Sequence, residues 1–188
     1  MTFVDRYPDA TRIVKAALIV AFAALGIGGL FGMIQALHRT GVFRGFISSV
    51  LYYDVLTGHG VLLALVFTTF FIVGLYQWGV SRSLEREPQN MTFTWTWFTI
   101  MTVGTTMTAT AIIGGLIPGS EISAAVLYTF YPPLQAHPLF YIGAAGLVVG
   151  SWMTGVDWFW SFRKWRTDNP DATIPLQTYM VLFTWRMW

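Results

Sequence analysis

The 188-residue chain is 55% hydrophobic and only 11% charged, which leaves no room for a soluble domain beside its apolar runs. Its net charge of +2 reflects basic loops between those runs and excludes a nucleic-acid binder. With no cysteine there is no disulfide, no thiolate iron–sulfur or copper centre and no covalent c-type haem, so any metal chemistry must use histidine.

In chain order, the first uncharged run covers residues 16–37. It is longer than a signal-peptide core and three comparable runs follow, so it reads as an uncleaved membrane helix. Gly28 and Gly32 give it the small-xxx-small spacing that permits close helix approach, and Gln35 stands near its end. The second run, 55–80, contains LTGHGVLLALVFTTFFIVGLYQWGV and meets no charged residue before Arg82. Within it His59 lies between Gly58 and Gly60. The third run, 91–117, places Thr92, Thr96, Thr99, Thr102, Thr106 and Thr110 along one side of a helix. Such a stripe reads either as a proton wire or as hydroxyls bonded back to their own helix carbonyls. Gly146 and Gly150 repeat the small-residue spacing in the fourth run, 139–162, which is interrupted by Asp157. That carboxylate reads as a boundary group reaching headgroup water or Arg163 and Lys164, with a proton carrier as the alternative. A fifth apolar segment, 174–188, is too short to cross a bilayer and contains Arg186. It is expected to be a helix cut short by truncation or frameshift of a longer protein, the alternative being an interfacial terminal helix.

Nine tryptophans and eight tyrosines gather near the ends of these runs, where amphipathic rings favour the membrane interface. Arg6, Arg12, Lys15, Arg82, Arg86, Arg163, Lys164 and Arg166 fall on one side of the resulting topology, against Arg39 and Arg44 on the other. The positive-inside rule then makes the N-terminus cytoplasmic. Span two enters from the outer side near Val55, which sets His59 roughly 6 Å inside the outer boundary at about 1.5 Å per residue.

An ionisable side chain inside a membrane run is costly and functional by default, and an imidazole there is first a candidate metal or haem ligand. The other reading is a packing residue hydrogen-bonded to a neighbouring helix. On a regular helix Leu56, Leu62, Leu63 and Val66 share the His59 face, and the flanking glycines remove bulk beside the ring, as a porphyrin would require. His38 and His137 lie in loops, so a second axial ligand must come from other sequence. The connection ending in YTFYPPLQAHPLFYIG, 128–143, cannot be helical through Pro132 and Pro133.

LTGHGVLLALVFTTFF (56–71), LYTFYPPLQAHPLFYIG (127–143), PLQTYM (175–180) and FGMIQAL (31–37) closely resemble subunit I of the haem–copper oxygen reductases, nearest the B-type cytochrome c oxidases of thermophilic bacteria and haloarchaea. The resemblance runs along the whole chain but covers only about the first third of that subunit. It implies an all-α integral membrane fold of four transmembrane helices plus the start of a fifth, with residues 1–188 forming one N-terminal transmembrane part. By it, His59 corresponds to the axial ligand of the low-spin haem b, whose opposite ligand in the family lies on a helix beyond Trp188. Tyr128 resembles the tyrosine beside the oxygen tunnel, and Gln35 and Tyr131 resemble haem-side contacts. The high-spin haem, the copper ion and their ligands belong to later helices, so no catalytic residue is expected in this stretch.

The resemblance further implies a multi-pass protein of a prokaryotic cell membrane, partnered by the rest of subunit I, a copper-bearing subunit II and a small cytochrome or blue-copper donor. Its activity would be oxygen reduction to water coupled to proton translocation, which the present stretch alone is not expected to perform. The loop SRSLEREPQN, 81–90, lacks the acidic proton-entry motif of the A branch, so no proton channel is carried over. A nitric oxide reductase of the same superfamily and a non-enzymatic membrane scaffold are the alternatives.

Overall fold

A computed structural model describes residues 2–43, 45–126 and 135–187. A one-turn helix α1 (Phe3–Arg6) precedes α2 (Pro8–Arg39), α3 (Ser49–Ser83), α4 (Met91–Gly115), α5 (Pro138–Asp168) and α6 (Leu176–Arg186). Helices α2 to α5 are each long and apolar enough to cross a membrane. Beyond an isolated bridge between Ala124 and Ala136, no strand pairing occurs among the described residues.

Helices α2, α3 and α5 overrun their uncharged stretches because their ends are capped, whereas α4 starts at Met91 as read and ends at Gly115, short of residue 117. Pro8 opens α2 at a position where its missing N–H costs nothing. Two of the remaining free amides, those of Asp9 and Ala10, donate to the Glu87 carboxylate at 3.0 and 2.7 Å, so a residue of the α3–α4 loop caps α2 from outside. Ser48 accepts the Leu51 amide at 3.2 Å and starts α3 six residues before Val55, while Asn90 accepts the Phe93 amide at 3.1 Å and starts α4. Helix α5 continues past Arg163 and Lys164 to a Lys164–Asp168 pair at 3.1 Å. Replacing Glu87 by Ala is expected to lower stability by about 1 kcal/mol, the usual worth of a helix cap. Thermal unfolding in detergent or nanodiscs reads the loss; an unchanged midpoint would mean that water serves these amides equally well.

Ala10, Val14, Ala17, Ala21, Ala24 and Gly28 are buried on α2 at alternating spacings of four and three. This stripe of small residues brings α2 against α3, whose Val61, Leu62, Val66, Phe70 and Val73 belong to the same buried cluster. The α4–α5 pair is closer still. A methyl group on Gly143 would stand 2.5 Å from the Gly104 carbonyl oxygen, and one on Gly150 would stand 3.0 Å from the Met101 amide, so the two backbones meet where side chains are missing. Helix α6 docks on α3 and α5 through a 2.6 Å Ser83–Thr178 hydroxyl contact and through Trp185 lying over Gly155.

One end of the bundle gathers the basic residues. There Arg6 pairs with Glu85 at 2.9 Å, and Arg86 reaches Asp168 at 3.5 Å. On the threonine stripe of α4, Thr96, Thr102, Thr106 and Thr110 each donate to the carbonyl four residues back, at 2.8 to 2.9 Å, as the back-bonding alternative expects.

Candidate functional site

His59 sits on α3 with its ring against α2, and its Nδ1 is 2.8 Å from the Gly28 carbonyl oxygen. A carbonyl only accepts, so Nδ1 carries the hydrogen and Nε2 keeps a free lone pair. This is the arrangement by which metal-ligating histidines are oriented: the second nitrogen is fixed by a backbone acceptor, which also raises the basicity of the first. Gly32, one turn along α2, completes the cradle. A Cβ there would lie 2.7 Å from His59 Cε1 and 2.8 Å from Nδ1, so the ring occupies the space that any other residue would fill.

The surroundings keep part of the helical-wheel expectation. Immediately after Gly60, α3 widens into a π-helical segment, Val61–Phe67, with hydrogen bonds from i to i+5 that put extra residues into each turn. Leu62 and Leu63 still meet Gly28, whose carbonyl holds the imidazole, so they keep the His59 side of α3. Gly58 does not open space beside the imidazole; it receives the Phe31 ring, 2.5 Å from where a Cβ would be. Gly32 performs that task from the neighbouring helix, and Gly28 supplies the carbonyl.

Gln35 is buried and its Nε2 donates to the Val55 carbonyl at 3.4 Å, one turn before His59. Its amide therefore braces the two helices just above the imidazole. Tyr128 and Tyr131 lie outside the described residues. His38 belongs to the last turn of α2 rather than to a loop, with its ring 5.0 Å from that of Tyr52. His137 is the N-cap of α5, where its Nδ1 accepts the Leu139 amide at 3.2 Å. Neither joins His59, and among the described residues no three His, Asp or Glu side chains converge as a metal cage.

Two carboxylates stand out. Asp54, fully buried on α3, accepts the Ala124 amide at 2.9 Å and so ties the outer connection to the helix that bears His59. Gly115 at the end of α4 leaves room for that carboxyl group. The apolar-run reading started span two at Val55 and passed over Asp54. Asp157 corrects an expectation outright. It reaches neither headgroup water nor a basic neighbour, but is 1% exposed, with Oδ2 2.6 Å from Thr94 Oγ1 and 2.9 Å from Trp97 Nε1.

The fold and the site define a polytopic helical membrane protein in which one intramembrane imidazole is oriented by a backbone carbonyl. Residues 12–188 match the family described as cytochrome c and quinol oxidase polypeptide I, and the chain belongs to that family. It is 36% identical over 192 residues to cytochrome c oxidase subunit 1 of Thermus thermophilus, covering 98% of this chain but 32% of that protein. A haem–copper terminal oxidase dimer solved by cryo-EM superposes with a TM-score of 0.77 at 37% identity, covering 89% of this chain and 28% of its own. The present chain thus spans about a third of the length of these relatives.

Proposed function

We propose that this chain forms the N-terminal part of the catalytic subunit of a B-type terminal oxidase in a prokaryotic cell membrane. In the whole enzyme, electrons from a small cytochrome or blue-copper protein, passed through a copper-bearing second subunit, reduce oxygen to water with proton translocation. The observation that carries this reading is the Nδ1–Gly28 contact, which leaves His59 Nε2 free to hold the iron of a low-spin haem b. When bound, that haem supplies reversible one-electron transfer.

The residues of this chain then have separable tasks. His59 Nε2 would hold the haem iron, while the Gly28 carbonyl fixes the tautomer and the ring plane. Gly32 lets the ring lie between α2 and α3, and Gln35 holds the two helices at that spacing. Leu62 and Leu63, packed on Gly28, keep that side of the imidazole apolar, which raises the cost of net charge there and so bears on the potential. Tyr128 is assigned to the oxygen path and Tyr131 to the haem side by resemblance to the family. With the N-terminus cytoplasmic, the His59 level lies in the outer half of the bilayer, on the side from which an extracytoplasmic donor arrives.

Membranes carrying the intact subunit are expected to give a b-type pyridine haemochrome and to consume oxygen with a reduced cytochrome as donor. Turnover of nitric oxide without oxygen consumption would move the enzyme to the other branch of the superfamily. Absence of haem would leave a scaffold protein.

A further inference from the structure

Asp157 has no part in the haem site, yet it is a carboxyl group buried in the half of the bundle that ends in the basic loops. Its two oxygens are served unequally. Oδ2 touches the Thr94 hydroxyl at 2.6 Å and the Trp97 indole N–H at 2.9 Å, and Oδ1 has no donor among the described residues. None of the ion pairs among the described residues involves it. The side chains packed on it from α4 are the uncharged Thr94 and Trp97. On α3 the uncharged Gln77 accepts from the indole of Trp158, the residue next to Asp157, at 3.0 Å. The cations of this end, Arg86, Arg163 and Lys164, lie beyond, toward the helix ends.

The hydrogen count is informative. Thr94 Oγ1 stands 3.0 Å from the Asn90 carbonyl, the same four-back geometry that Thr96, Thr102, Thr106 and Thr110 adopt on this helix. A hydroxyl has one hydrogen, so either Thr94 donates it to Asp157 Oδ2, the shorter contact, or it turns to Asn90 and the protonated acid donates to Thr94. The second arrangement is the neutral acid, with Trp97 donating to the same oxygen. An unpaired Oδ1 agrees with this, because a neutral carbonyl oxygen is far less costly to leave unpartnered than a buried carboxylate oxygen.

From Thr94 the link is short. Asn90 lines an open depression of about 410 Å³ together with Gln89, Trp160, Arg163, Lys164 and Thr167. One turn along α5 from Asp157, Ser161 accepts the Gln89 amide at 3.2 Å and closes the same rim.

We propose that Asp157 is a neutral carboxylic acid that exchanges its proton with the basic face of the membrane through Thr94 and the Asn90 rim. In exchange Thr94 Oγ1 takes the Oδ2 proton while its own hydrogen passes to water at the Asn90 rim, and the reverse transfer remakes the Oδ2–H bond; no electron changes hands. The site rests on the oxidase reading only for the use of its proton, since oxygen reduction consumes protons drawn from the cytoplasm.

Infrared difference spectra of the intact membrane complex, recorded at rest without donor or oxygen, test this independently of turnover. A protonated carboxyl C=O stretch is expected in the wild type, lost in Asp157→Asn and shifted on transfer to heavy water. In Thr94→Val the band is expected to persist at higher frequency, because its hydroxyl acceptor is gone, and to exchange more slowly. An Asp157→Asn spectrum that keeps every protonated-carboxyl band overturns the proposal. So does a wild-type band indifferent to heavy water. Should Asp157→Asn fail to assemble, Thr94→Val decides: a carboxyl spectrum identical to wild type overturns the assignment.

Discussion

Replacing His59 by alanine in the intact oxidase is expected to abolish the low-spin haem spectrum and stop electron transfer from the donor. The loss should exceed the roughly 10- to 100-fold that partners behind a ligand are worth, because the ligand itself is removed. The fold should survive. The Nδ1–Gly28 bond contributes about 1 kcal/mol net, and the ring is only half-buried between helices held by the Ala10–Gly28 stripe and the Gln35–Val55 brace. Added imidazole should restore part of the spectrum by filling the space left beside Gly32. A His59→Ala enzyme with an unaltered spectrum would remove His59 from the ligand set.

Gly32→Val is expected to reproduce much of this loss without touching a ligand. Its Cβ would fall 2.7 to 2.8 Å from the imidazole, so the ring must turn or α2 must retreat, and either movement breaks the Nδ1–Gly28 contact. A drop of roughly 10- to 100-fold in haem affinity or turnover follows from losing an orienting partner. Gly32→Ala should show the milder form. Gly29→Ala supplies the control, because a Cβ at Gly29 meets nothing within 4 Å. Equal effects at Gly29 and Gly32 would point to general helix packing and away from the imidazole.

Hydropathy located the four spans because each must hide its backbone from lipid, and it misjudged their ends because capping lies outside the apolar run. Ser48 and Glu87 extend α3 and α2 through hydrogen bonds that a run of uncharged letters does not contain. His59 was legible from its cost alone. Its partner was not, since a backbone carbonyl has no letter; the one signal was the Gly28–Gly32 pair, read as packing although it also makes the cradle. The π-helical stretch was not legible, because the period of a helix is assumed and not written in Val61–Phe67, although Leu62 and Leu63 still face Gly28 as the wheel projection has them. Asp157 was misplaced for a similar reason: counting turns to Arg163 and Lys164 measures distance along its own helix, whereas Thr94 and Trp97 reach it from another.

The most direct measurement is hyperfine spectroscopy of the ferric low-spin haem in the intact oxidase, with only histidine labelled by nitrogen-15. Wild-type enzyme should show coupling to both axial imidazoles, and His59→Met should keep the haem while losing one of them. If both couplings persist in His59→Met, the iron takes its nitrogen from elsewhere, and the carbonyl-held imidazole between α2 and α3 is a packing residue.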